Sequence, residues 1–278
     1  MWDTSQSPWV TASDLAEQNQ RAVARSLDLE ITSLFQPVID ASIDAVVGQE
    51  AWLQVTRGRQ VLASLEAFEC MTELEDLIRF DHLCGAIHVL NFAIHGGSGW
   101  LFVKVHPRLL KDMAEAHVEV FTRIIDICDM PPRQIIIEIP NDAIRDPITD
   151  PIRFAAIIRN YRCHGFQIAL NELAINPGTL DRLWQLWPDI AKLSCMAMVR
   201  AETDAPWRRH LARIIALIHE LYGIKVMAQG IANARQAKIA LECGADMLQG
   251  DHFGRPSTVP RDALVRAHYA WTDLTWAV

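Results

Sequence analysis

A chain of 278 residues, half of them hydrophobic and 22% charged, is long enough to bury one large core. Its formal charge of −8 comes from interleaved acidic and basic residues. That pattern excludes the basic face of a nucleic-acid-polymer binder and leaves room for a local phosphate pocket. Met1 to Pro8 has neither the basic nor the apolar region of a signal peptide. The apolar runs read as too short for the roughly 18 to 20 residues of a membrane span, so a cytoplasmic protein is expected. Cys70, Cys84, Cys128, Cys163, Cys195 and Cys243 are scattered without a CxxC pair, and reduced thiols are expected rather than a disulfide or zinc framework.

In chain order, Thr11 to Leu27 predicts a helix, with Thr11 or Ser13 as cap and Leu15, Val23 and Leu27 on one face. Strands follow at Leu34–Ile39 and Ala45–Val55, and Met71–Ile94 has the apolar spacing of a helix with a buried face. Short apolar runs then alternate with amphipathic segments at βα intervals. The strand candidates are Trp100–Val105, Gln134–Ile139, Phe166–Leu170, Asp189–Leu193, Lys225–Ala228 and Met247–Gln249. The helix candidates are Leu109–Cys128, Pro151–Cys163, Gly178–Leu186, Trp207–Tyr222 and Ala234–Cys243. Two early strands and these six make the eight of an α/β barrel. Polar residues recur where the runs end, at Lys104, Glu138, Asn171, Lys192, Gln229 and Gln249. Since barrel sites sit at the C-terminal strand ends, these residues point to one shared pocket.

Several segments, in order, resemble the EAL family of cyclic di-GMP phosphodiesterases. They are Phe35-Gln-Pro-Val-Ile39, Val47-Gly-Gln-Glu-Ala-Trp-Leu53, Leu101-Phe-Val-Lys-Val-His-Pro107, Ile136-Ile-Glu-Ile139 and Gly165-Phe-Gln-Ile-Ala-Leu170, followed by Asp189-Ile-Ala-Lys-Leu193, Val226-Met-Ala-Gln-Gly-Ile231, Leu248-Gln-Gly250 and Phe253-Gly-Arg-Pro256. The resemblance implies a modified TIM (β/α)8 barrel whose first strand runs antiparallel to the rest. Residues 13–266 are expected to form it, with tails at 1–12 and 267–278. In intact members it also implies hydrolysis of one phosphodiester bond of cyclic di-GMP by a water held between two divalent metals.

By that resemblance, Glu50, Glu138, Lys192 and Gln249 match site residues of the family. Trp52 stands where the signature has leucine, and Lys104 where it has a metal-binding asparagine. Asn171-Glu172 replaces two adjacent aspartates, Gln229 a glutamate and Ser194 an aspartate, and Leu173-Ala-Ile-Asn176 departs from a glycine-rich loop. Four positive charges from two metals would meet only Glu50, Glu138 and Glu172, with Lys104 added. The reading is therefore a degenerate, catalytically silent barrel with vestigial Glu50, Glu138 and Lys192, in which no metal is expected. Magnesium or manganese would be needed only if activity survives. Lys104 is expected to stand in for a metal by pairing with both Glu50 and Glu138.

For a retained nucleotide, the contact set would be Gln36, Trp52, Gln54, Gln249, Arg255 and Pro256, with Gln54 replacing a phosphate-contacting arginine of the family. Trp52 can stack on a guanine or fill the mouth and block it. Arg57 and Arg59 are expected to lie in a solvated loop, and the ten histidines to have surface or packing roles. The first expectation is a regulatory module of cyclic di-GMP-type signalling that acts by binding a protein partner. The alternatives are a metal-independent cyclic di-GMP receptor, a residual phosphodiesterase and, more distantly, an unrelated barrel enzyme.

Overall fold

The computed structural model describes residues 15–18, 20–112, 114–140, 151–176 and 178–261. The expected tails, 1–12 and 267–278, lie outside them. Eight strands close the barrel: β3 (Leu29–Asp40), β4 (Ala45–Arg57), β6 (Trp100–Lys104), β7 (Ile135–Pro140), β8 (Gln167–Leu173), β9 (Ile190–Leu193), β10 (Lys225–Ala228) and β11 (Met247–Gln249). From β4 through β6 to β11, barrel neighbours pair in parallel. The strand β3 runs antiparallel to both of its barrel neighbours, β4 and β11, as expected of the first strand. Continuous apolar runs such as Ile135-Ile-Ile are buried on both faces because the barrel interior lies on one side and helices on the other.

The helices are α1 (Ser64–Glu69), α2 (Leu74–Ile94), α3 (Pro107–Asp112), α4 (Ala114–Ile127), α5 (Pro151–Cys163), α6 (Thr179–Leu186), α7 (Cys195–Thr203), α8 (Ala205–Tyr222) and α9 (Ala234–Glu242). Local chemistry marks their ends. Asp204 accepts a hydrogen bond from the Trp207 amide at the start of α8, and Gly223 at φ 65° ends it in the left-handed region that glycine favours. Asn233 caps α9 through the Gln236 amide, while the Gln236 side chain reaches back to the Ala232 amide. The long helix α2 is apolar nearly all round because it packs under β2 (Arg21–Ser26), β3 and β6, with Phe92 tilted against Phe35 at 5.9 Å. By length and composition α2 could cross a membrane, contrary to the sequence reading, yet most of that stretch is buried inside the fold.

The expected helix at Thr11–Leu27 is absent from its described part. Leu15–Gln18 and Arg21–Ser26 form a hairpin, β1 and β2, and β2 pairs antiparallel with β3. Apolar spacing alone favoured a helix, and tertiary pairing overrides it. Asn91 of α2 clamps Ala22, accepting from its amide at 2.8 Å and donating to its carbonyl at 2.9 Å. Gln20 and Leu27 turn the chain at φ 62° and 54°. A short strand, β5 (Gln60–Leu62), extends the ribbon beyond β4. The helices α1 and α7 and the strand β5 were not anticipated, and the described part of the expected Leu109–Cys128 helix falls in α3 and α4.

Candidate functional site

A side chain facing into the barrel is followed by another two residues later. One buried apolar layer of the interior is made by Val38, Phe102, Ile136, Ala169, Ile190, Met227 and Met247. Two residues nearer the C-terminal mouth, the same strands present Lys104, Glu138, Asn171, Lys192, Gln229 and Gln249, and the reversed β3 presents Gln36. Glu50 follows Gly48 in the same way. Gly48 permits the close approach of β6, since a Cβ there would lie 2.6 Å from the Trp100 carbonyl oxygen. The polar layer expected from the sequence is thus one ring at one depth.

At its centre Lys192, fully buried, donates to Glu50 Oε2 at 2.7 Å and to Glu138 Oε1. Gln249 Nε2 donates to the same Glu50 oxygen at 2.6 Å and to Gln36 Oε1 at 3.3 Å. Gln36 in turn donates to the Gly254 carbonyl at 3.1 Å. Lys104 closes the other side by pairing with Glu50 Oε1, and its ammonium lies 3.7 Å from the centroid of the Trp52 ring. Gln229 Nε2 donates to Asn171 Oδ1 at 3.2 Å, off the carboxylates. The expectation that Lys104 neutralises both carboxylates holds for Glu50 by direct pairing and for Glu138 only through the field of its charge. Of the two carboxylates Lys104 pairs directly with Glu50, and Glu138 is held by Lys192, whose strand β9 brings it to the barrel axis.

Burial works to raise the Glu50 pKa, but the charges and hydrogen bonds of Lys104 and Lys192 outweigh it and hold it at about 2. Glu138 moves upward, because burial and the neighbouring Glu50 charge exceed what the lysines return. Burial acts to lower the Lys104 pKa, and the facing Glu50, Glu138 and Glu172 carboxylates raise it instead. Glu50 is therefore a carboxylate locked between two cations.

The resemblance implies two divalent ions, and the residues present do not fit them. Both Glu50 oxygens are taken by ammonium groups. Of the four oxygens of Glu50 and Glu138, Glu138 Oε2 is left as one buried oxygen without a hydrogen-bond partner, where two ions would each need at least one carboxylate beside their waters. Among the described residues no cluster of three or more His, Cys, Asp or Glu side chains is placed to hold a metal. A divalent ion 4 Å from an ammonium would be repelled by ~8 kcal/mol at an effective dielectric of about 20.

Trp52 divides the mouth. On one side an open cleft of about 490 Å³ is lined by Gln36, Trp52, Glu172, Ser194, Gln249 and Pro256. On the other lies a side pocket of about 250 Å³ between β4, α1 and α2, walled by Phe68, Leu53 and His106, with Asp81, Cys84 and His88 on its α2 side. His106 stacks on Phe68 at 4.8 Å, and its amide donates to Asp81. His88 meets the Ser33 hydroxyl at 2.8 Å, and burial, aided by Lys104, lowers its pKa to about 4. The sequence reading missed this pocket. Its signal was available, since Asp81, Cys84 and His88 recur at helical spacing inside an otherwise apolar run.

The expected nucleotide set is split. Gln36, Trp52, Gln249 and Pro256 line the cleft. Gln54 lies one pleat beyond Trp52 beside Arg21, and Arg255 reaches outward to Asp251 at 3.2 Å. Arg57 is held to Asp28 at 2.8 Å.

Comparison with known proteins agrees with this architecture. An uncharacterized protein of Azorhizobium caulinodans is 23% identical over 235 residues, covering 80% of this chain and 30% of that protein. The chain thus spans under a third of that relative's length. A standalone EAL protein of Vibrio cholerae, solved with c-di-GMP, superposes with a TM-score of 0.74 at 18% identity, over 88% of this chain and 100% of that one. BlrP1 of Klebsiella pneumoniae, solved with manganese and the same nucleotide, gives 0.73 at 20% identity, over 87% and 58%. The EAL domain of FimX from Xanthomonas citri, in complex with c-diGMP, gives 0.70 at 16% identity, over 82% and 88%. The EAL domain family model matches residues 17–256, and with the antiparallel first strand and the Glu50 signature at the barrel mouth, this chain belongs to the EAL domain family.

Proposed function

We propose that this EAL-family chain is a catalytically silent regulatory module of cyclic di-GMP-type signalling, which works by binding rather than hydrolysis. One observation carries the reading: Lys104 and Lys192 occupy both oxygens of Glu50, and Lys192 also takes Glu138. Two ammonium groups balance two carboxylates, so the charge that would attract divalent ions is already neutralised from within. In this reading the chain's output is contact with a protein partner.

The test is incubation of the purified chain with cyclic di-GMP and magnesium or manganese, followed by chromatography. Unchanged nucleotide is expected. Conversion to the linear dinucleotide that depends on added metal, and is lost in Glu50→Gln, would overturn the proposal.

A second reading, a metal-independent receptor, is favoured by the cavities on either side of Trp52. Together they offer two adjoining lobes beside one aromatic face, which suits a ligand with two bases joined by phosphates. FimX and the Vibrio protein are described with this nucleotide bound. Isothermal titration in EDTA decides it. Micromolar heat supports the receptor, and silence in titration and in a second binding assay leaves the protein-interaction module.

A further inference from the structure

The ribbon β2–β3–β4 continues the site's face past the barrel rim. On β4, Glu50, Trp52 and Gln54 alternate onto one side, so Gln54 stands about 7 Å beyond Trp52 along the strand. Thr32 is directly opposite Gln54 on β3. Into this row β2 sends Arg21. One guanidinium nitrogen makes two long contacts, to Thr32 Oγ1 at 3.3 Å and Gln54 Oε1 at 3.4 Å. Its Nε is shut off from solvent and has no hydrogen-bond partner. Among the described residues no carboxylate forms an ion pair with it. Its field instead reaches His95, whose pKa is lowered by burial and by Arg21.

These groups line a polar recess of about 180 Å³, with Gln18 and Thr56 on its walls and Glu30 among its lining residues. Glu30 is engaged by Arg25 at 3.3 Å, which offsets its charge. A half-buried guanidinium needs an anion or a set of good acceptors, and an orphaned buried donor calls for a missing partner. The recess sets the Arg21 cation among polar side chains, with the Glu30 charge offset by Arg25, a composition that suits a tetrahedral oxyanion.

We propose that this recess is an oxyanion subsite in which Arg21, with the side-chain amide of Gln54, holds a phosphate group. The phosphate has two sources: free orthophosphate, or the backbone of a nucleotide lying across Trp52. The second rests on the receptor reading above.

The experiment is isothermal titration of the full chain with inorganic phosphate and, separately, with cyclic di-GMP in EDTA. The Arg21 Nε–H resonance is followed by NMR. Two variants accompany the wild type: Arg21→Gln removes the cation, and Gln54→Glu sets a carboxylate beside it that pre-empts the anion. Circular dichroism melts establish that each is folded. Orthophosphate that shifts the Arg21 resonance, and binds at least tenfold more weakly to both variants, supports the free-anion source, even if cyclic di-GMP does not bind at all. Orthophosphate silence together with a loss of at least tenfold in cyclic di-GMP affinity in both variants supports the nucleotide source. If neither probe moves the Arg21 resonance, and folded variants bind as the wild type does, the subsite does not exist.

Discussion

Lys192 and Glu138 meet at the barrel axis with neither side chain exposed to solvent. Lys192 also reaches Glu50 and lies 5.5 Å from the Phe102 ring centroid in the apolar layer. This lysine is the hinge of the site's electrostatics, since it is the cation both carboxylates share.

Removing it should expose that dependence. Lys192→Met leaves Glu138 buried beside an ionised Glu50, and a loss of about 3–5 kcal/mol in urea unfolding is expected. Adding Glu138→Gln to that variant removes the uncompensated charge and should restore part of the loss. No recovery in the double variant would show that the cost lies in packing.

Lys104 should behave differently. Its side chain is 38% exposed, and Glu50 keeps Lys192 and Gln249 when it is gone. Lys104→Ala is therefore expected to cost about 1 kcal/mol or less. A larger loss would follow if Glu138 were a second direct partner of Lys104. A destabilisation comparable to that of Lys192→Met would restore that view.

Acid should weaken the fold in two stages. Buried His88 is held neutral, with its pKa lowered from 6.5 to about 4. Its stabilisation is complete above pH 6.5 and is lost as the pH falls toward 4, about 2 kcal/mol between pH 7 and 5. Glu50, lowered from 4.5 to about 2, keeps its contribution above pH 4.5 and loses it as the pH falls toward 2. Glu138, whose pKa is raised, acts with the opposite sign and softens the second stage. Urea titrations across pH should show the upper stage vanish in His88→Asn and the lower one shrink in Glu50→Gln.

Gly250 sets the loop after β11. Its φ is 154°, and a Cβ there would lie 2.2 Å from the Ile231 carbonyl oxygen. Gly250→Ala should cost at least about 2 kcal/mol, because backbone rather than a flexible side chain must move. It should also disturb Gln249, whose carbonyl accepts the Ile231 amide at 3.0 Å. A melting temperature within a degree of the wild type would contradict the contact.

The barrel was legible because its signals are local. Lys225–Ala228 and Met247–Gln249 begin and end where their apolar runs do, and Pro151–Cys163 where its amphipathic pattern does. The site ring was legible for the same reason: a period of two carries Phe102 to Lys104 and Ile136 to Glu138 on any strand with one face inside. The hairpin at Leu15–Ser26 was not, since its conformation depends on β3 and on Asn91, 69 residues away from Ala22 in sequence.

The sequence by itself determined which side chains share the interior, and that two lysines stand among too few carboxylates. Only the tertiary structure decided who pairs with whom. Strand tilt and register set which ammonium reaches which oxygen, so Lys192 bridges Glu50 and Glu138 while Lys104 turns to Glu50 and Trp52. The same register, through the β2–β3–β4 ribbon, set Arg21 beside Gln54, 33 residues distant. Charge follows from composition, but a charge's partner follows from distance, and distance is fixed by packing.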